Sequence, residues 1–405
     1  MRAMTLAALA ALTAATASAK PSFYLPERLY AAPGLELNVY YTDIFDSVVP
    51  RNFAYQAYCK KGKAELTRWC FTPTDEDAGK TYSLVINAWN DDGLAAAVTA
   101  AVEVAAAPVD PARRMTLALL GDSLTNCRFQ DQVFRDMREA GLTGYVPVGA
   151  RRPEVEGGVP HDGYGGYTFD TFLTRYTVSD EEVVNIQDAA EREQLKALGM
   201  PVKIIHAWQR ALLRSPLVKF ENGKKSVDIR RWLEKINGGQ PPDVVLIELG
   251  VNSVFDYRGE AAELRERIRT CVLPGAERLI SRLREDIPDA TYLLCTQPVG
   301  ASQDGFAANY GANWNEVQHR KIIFAMNREY DAFVRAKNDP KIMLLPLGHA
   351  IDPVEGFVRA TARPSARSAL TVTKNVNAVH LSEVGGFQMG DTIAAMLRVL
   401  YGRVQ

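Results

Sequence analysis

Four short segments of the chain carry side chains suited to acyl-transfer chemistry. Gly121-Asp122-Ser123-Leu124 presents a hydroxyl, and Asp162-Gly-Tyr-Gly-Gly-Tyr-Thr168 presents adjacent glycines. Gly250-Val-Asn252-Ser253 presents a side-chain amide, and Asn377-Ala-Val-His380 an imidazole. A serine hydroxyl attacks a carbonyl carbon when an imidazole removes its proton, and the same imidazole then protonates the departing alcohol. The oxyanion that forms needs preorganised donors. Here these would be the N–H of Ser123, the N–H of a glycine from the second segment and the amide of Asn252. A plainer reading of the turn is that Ser123 caps a helix, since Ser and Asp are both good N-caps.

The flanking pattern says what would position these groups. Met115–Leu120 is an apolar run that reads as a buried strand, and Val133, Phe134 and Met137 mark an amphipathic stretch after the turn. Strand, glycine turn and helix place a side chain at the carboxyl edge of a parallel sheet, beside the free N–H groups of a helix start. Further strands are expected at Tyr145–Val148, Val244–Leu249, Tyr292–Thr296 and Ile342–Pro346. Helices are expected after the capping box Ser179-Asp-Glu-Glu182 as far as Gly199, over Glu260–Asp286 with a break at Pro274, over Asn315–Lys337, and over Val384–Tyr401. Glu316 is spaced to pair with Arg320. Alternating strands and helices predict an α/β domain whose parallel sheet is covered on both faces. Each of the four segments then follows a strand, where such sheets bind ligands. No glycine-rich phosphate loop follows the first strand, which excludes a nucleotide site there.

Taken together, the four segments resemble the Ser, Gly, Asn and His blocks of the SGNH, or GDSL, hydrolases, over about Met115 to the C-terminus. The resemblance implies a flavodoxin-like three-layer α/β/α sandwich. Its implied site has Ser123 as nucleophile, His380 as base, and Ser123, Gly166 and Asn252 as the oxyanion hole, with Gly165 the near alternative to Gly166. The stretch from Ser215 to Gly250 is also similar to a secreted branch carrying an extra N-terminal β domain, often carbohydrate esterases that remove acetyl groups. The implied function is a serine esterase acting on O-acyl, chiefly O-acetyl, esters of a carbohydrate or glycan, without cofactor or metal. A lipolytic or thioester hydrolase on the same fold, and a non-catalytic glycan binder with a degenerate site, are the alternatives. Two positions depart from the family pattern. Ser253 stands where the family has Asp, and Asn377 replaces the carboxylate that usually orients the histidine. Asn377 would then orient His380 through its carbonyl oxygen; a backbone carbonyl, or a carboxylate from Asp352, Glu383 or Asp391, are the other routes.

The remaining sequence sets the context. Residues 1–19 read as a secretory signal peptide, with Met1-Arg2, an apolar run and Ala17-Ser18-Ala19, so the mature protein is expected to be secreted or periplasmic. Residues 20–107 alternate as short strands and predict a small all-β sandwich, read as a spacer with a carbohydrate-binding or packing module as the alternative; residues 108–405 form the α/β domain. A net charge of −1 argues against nucleic acid or an anionic surface as partner, and no later run is suited to a membrane span. Cys59 and Cys70 are candidates for a bridge. Tyr164, Tyr167 and Trp314 are candidate sugar platforms, and His161 a candidate pocket residue. His349 reads as a solvated loop residue, His206 and His319 as structural, and Arg128 as a partner for Asp131 or an acidic group.

Overall fold

The computed structural model describes residues 20–127, 129–151, 158–176, 214–311 and 314–403. The expected leader, the helix after Ser179, His206 and Arg128 lie outside the described residues. Five strands form the parallel sheet: Met115–Gly121 (β1), Tyr145–Val148 (β2), Val244–Glu248 (β3), Thr291–Cys295 (β4) and Ile342–Leu345 (β5). Each lies within a residue of its expected ends. They pair in the order β2-β1-β3-β4-β5, the flavodoxin-like arrangement, with the short strand Asp162–Gly163 also pairing with β1.

The sheet's two faces follow from the two-residue period of a strand. Ala118, Leu120, Val245, Ile247, Tyr292 and Leu294 pack on one side. They meet Trp232 of helix Ile229–Asn237 (α2), Leu279 and Leu283 of Leu273–Asp286 (α3), and Met326 and Tyr330 of Glu316–Lys337 (α4). Leu117, Leu119, Leu246 and Leu293 face the other way. They meet Val133 and Met137 of Phe129–Glu139 (α1) and Ile393 and Leu397 of Glu383–Arg403 (α5). The arrangement is thus a three-layer sandwich. The expected break at Pro274 is a π turn, Ile268–Val272, which joins Ala261–Arg267 to α3 without interrupting the helical backbone and leaves the proline as the second residue of α3.

Ahead of this sheet lies a β sandwich. Strands Arg28–Ala31, Gly93–Val104, Thr81–Asn90 and Ala54–Tyr58 make one sheet; Leu37–Tyr40, Arg68–Phe71 and Lys63–Ala64 make the other. Phe45, Trp69, Leu84, Ile86 and Val102 fill the space between them. Cys59 and Cys70 are free thiols. The sandwich is docked rather than held off as a spacer: Tyr30, Ala32 and Ala105 share a core with α5. Arg320 does not pair with Glu316. Its guanidinium is buried and donates to the carbonyls of Thr42 and, at 3.1 Å, Phe45, because the short helix Tyr41–Ile44 and the residue after it sit over α4. His349 is likewise buried at the junction rather than solvated, its Nδ1 2.6 Å from Asn38 O.

Candidate active site

The nucleophile turn is shaped by close packing. A side chain at Gly121 would collide with Thr125 Oγ1, 1.8 Å from where a Cβ would sit. Asp122 is buried and its Oδ1 accepts from Leu124 N at 3.0 Å, so the carboxylate closes the turn. Ser123 follows, half-buried, and α1 begins only at Phe129. The helix-cap reading therefore fails: a short 3-10 turn, Thr125–Cys127, stands between Ser123 and α1, and Ser123 is adjacent to the first residue of neither. Burial pushes Asp122 up to about 6, against the N–H groups that donate to it. Its neighbour is the buried carboxyl of Glu248, which burial and the Asp122 charge push well above the usual carboxylate range.

The second and third segments close around this turn. Tyr164 N donates to Gly121 O at 2.9 Å, which docks the glycine segment on the end of β1. The Cβ position of Gly165 lies 3.9 Å from Ser123 Cβ, whereas that of Gly166 faces open space. Gly166 has φ +75°, a conformation that favours glycine. Asn252 stands in the turn Val251–Ser253 after β3, and its Nδ2 donates to Asp122 Oδ2 at 2.7 Å and to Tyr167 O at 3.1 Å. The charged acceptor fixes which face of the amide carries the N–H groups. Both N–H groups are engaged, so an incoming oxyanion must displace the Tyr167 carbonyl, the longer and neutral partner.

His380 lies on the loop before α5, the first turn of which packs on the Ser123 segment. The two segments meet at Cys127. Its Sγ is 3.8 Å from Ser123 O and its backbone carbonyl lies 3.2 Å from the Cβ position of Gly386; burial pushes the thiol up to about 12, opposed by the backbone of Leu381. Burial lowers the pKa of His380.

Asn377 does not do what the sequence suggests. Its Oδ1 accepts from the N–H groups of Val379 and His380, both at 2.9 Å. The amide nitrogen is left facing His380 Nδ1 at 3.1 Å. Turning the amide over would set its NH₂ against two N–H donors, so this orientation is locked. An N–H donating to Nδ1 makes Nδ1 the acceptor and places the ring proton on Nε2. A base acting through Nε2 needs the opposite tautomer. The three carboxylates considered as substitutes do not supply it among the described contacts. Asp352 accepts from Val354 N, Glu355 N and Tyr40 Oη, and Asp391 accepts from Gln132. Glu383 opens α5.

The candidate substrate-binding residues are corrected by burial. Tyr164 and Tyr167 are 3% and 1% exposed, stacked on each other at 4.8 Å and edged by Phe172, so neither offers a face to a sugar. They fill the space between the glycine segment and the sheet. His161 is also buried; its Nδ1 accepts from Gly163 N at 3.0 Å, and burial together with nearby Arg151 lowers it to about 4. It braces the glycine segment rather than lining a pocket. Trp314 is packed between Phe255, centroids 4.4 Å apart, and the Arg258 guanidinium at 4.1 Å. Glu248 was missed in the sequence, although a carboxyl closing the wholly buried run Val244–Glu248 is a visible anomaly.

Among the described residues no cluster of His, Cys, Asp and Glu could hold a metal ion, and no helix is long and apolar enough to cross a membrane. No protein-family model matches the chain, and neither does any curated protein. Solved structures are similar at a distance. A family 3 carbohydrate esterase of Clostridium thermocellum is 16% identical and covers 72% of this chain and 100% of its own, with a TM-score of 0.37. Est24, a carbohydrate acetylesterase from Sinorhizobium meliloti, is 13% identical over 71% of this chain and 100% of its own, with a TM-score of 0.34. An extracellular lipase from Streptomyces rimosus is 11% identical over 58% and 81%, with a TM-score of 0.30. At such similarity, activity has to be argued from the residues.

Proposed function

We propose that this chain is a serine ester hydrolase of SGNH type that cleaves small O-acyl, chiefly O-acetyl, esters of a carbohydrate through an acyl-enzyme. The observation that carries the reading is the gathering of Ser123, the Gly165-Gly166 pair and Asn252 around one turn at the carboxyl edge of β1 and β3, with the His380 segment packed on it at Cys127. Ser123 attacks the ester carbon. The N–H of Ser123, the N–H of Gly166 and the Asn252 amide receive the oxyanion, the last by exchanging Tyr167 O for a stronger, charged acceptor. His380 serves as base from its minor tautomer, so turnover is slow. No cofactor takes part. The carbohydrate and the secreted or periplasmic location rest on the sequence resemblance and the signal-like N-terminus. The test is hydrolysis of 4-nitrophenyl acetate by the mature protein beside Ser123→Ala. Activity confined to the wild type supports the reading, and equal rates remove the nucleophile.

A second reading, a glycan-binding protein with a disabled site, is favoured by one observation: the Asn377 amide donating to His380 Nδ1. Glycan binding with neither turnover nor covalent labelling of Ser123 would select it.

A further inference from the structure

Beneath the Ser123 turn lie two carboxyl groups for which the reaction has no direct use. Asp122 and Glu248 are 1% and 0% exposed. They end adjacent strands: Gly121 is the register partner of Glu248, and Asp122 N donates to Glu248 O at 3.2 Å. Two carboxylates cannot both be ionised side by side without water, so the pair holds a proton. The donors decide where it resides. Asp122 receives Leu124 N at 3.0 Å and Asn252 Nδ2 at 2.7 Å, both of which favour its anion. Glu248 receives only the Thr125 hydroxyl, at 3.3 Å on Oε2, while its buried Oε1 finds no donor among the described residues. An ionised Glu248 would leave that oxygen bare in the core. A protonated Glu248 becomes a donor, with the Asp122 carboxylate beside it at the adjoining strand end as the acceptor.

We propose that Glu248 is a positioning residue: as a neutral acid it donates to Asp122, keeps that side chain a single buried anion, and through it holds the N–H face of Asn252 toward the oxyanion position. The proposal rests on the hydrolase reading above. Glu248 touches no substrate; it acts through Asp122, and Asp122 acts through Asn252. The chain of contacts spans the ends of β1 and β3, the two strands that deliver Ser123 and Asn252. An amide at position 122 cannot stand in. It has one acceptor oxygen for two donors, and its NH₂ would confront either Leu124 N or Asn252 Nδ2.

A double-mutant cycle tests this, with kcat and KM measured on 4-nitrophenyl acetate and Ser123→Ala as the blank. Glu248→Leu and Asp122→Asn are each expected to lower kcat about 10- to 100-fold, within the cost of losing one oxyanion donor, with KM changed less than about twofold. The double variant should be no slower than Asp122→Asn, because both act on one link. Glu248→Gln, which can still donate to position 122, should recover kcat to within about threefold of wild type. If Glu248→Leu does not fold, Glu248→Met carries the same comparison. A folded Glu248→Leu as fast as wild type, losses that multiply in the double variant, or a Glu248→Gln as slow as Glu248→Leu would each overturn the proposal. A wild type no faster than Ser123→Ala would instead overturn the hydrolase reading.

Discussion

Replacing Asn377 with aspartate should make the enzyme faster. The substitution is nearly isosteric. One carboxylate oxygen takes over Oδ1 and keeps the N–H groups of Val379 and His380 at 2.9 Å, and the other replaces Nδ2 at 3.1 Å from His380 Nδ1. The contact then reverses direction: Nδ1–H donates to a carboxylate, and Nε2 is left free to take the Ser123 proton. A charge-assisted hydrogen bond to the imidazolium contributes about 1.5–3 kcal/mol, which is roughly 10- to 150-fold at about 1.4 kcal/mol per tenfold. In a serine protease the converse change, Asp to Asn, enforces the wrong tautomer and costs about 10⁴ in kcat. We therefore expect a gain in kcat of about 10 to 10⁴, with KM little changed, on 4-nitrophenyl acetate. The pH profile should move with it. Burial lowers the pKa of His380 in the wild type, so the acid limb of kcat/KM should lie below the ordinary histidine value of 6.5. A neighbouring carboxylate favours the charged ring, so the limb of Asn377→Asp should move to higher pH. A folded Asn377→Asp with kcat unchanged or reduced would refute the tautomer argument.

Other outcomes follow from the packing. Asp136 is pushed up to about 8, by burial first and then by Asp391 across the contact of α1 with α5, and Gln132 donates to both. A raised carboxyl stabilises the fold below its unfolded pKa and loses that contribution as pH rises through the folded value. Thermal midpoints should therefore fall from pH 6 to pH 9, and Asp136→Asn should flatten that fall; an identical slope would exclude the carboxyl as its source. Arg320→Ala strands the carbonyls of Thr42 and Phe45 and leaves buried Asp43 without its nearby charge. Urea unfolding should show a loss of about 2–4 kcal/mol, and an unchanged midpoint would mean that the sandwich is held by its apolar contacts alone.

What the sequence made legible was set by local rules. The five strands are short apolar runs bounded by turn residues, and their order along the chain with intervening helices leaves few sheet topologies. Ser123, Asn252 and His380 stand out in the sequence because each follows an expected strand, His380 past a loop. What stayed hidden depended on direction or on distant partners. That Asn377 Oδ1 turns back to its own downstream N–H groups is a familiar habit of asparagine, yet only coordinates show the amide nitrogen left against His380. The aromatic residues Tyr164 and Tyr167 have the right chemistry for a sugar platform, but burial depends on the helix Phe169–Thr174 folding over them, where Phe172 packs edge-on. Arg320 looked like a helix-surface partner of Glu316; its acceptors lie some 275 residues earlier, on the sandwich.

The central claim is that Ser123 is the nucleophile of a site assembled at one rim of the sheet. Incubation with a fluorophosphonate, followed by intact mass and peptide mapping, tests it most directly. One adduct per chain is expected, on the peptide bearing Ser123, formed more slowly in His380→Ala. An unlabelled wild type that still hydrolyses 4-nitrophenyl acetate, or an adduct on another residue, would contradict it.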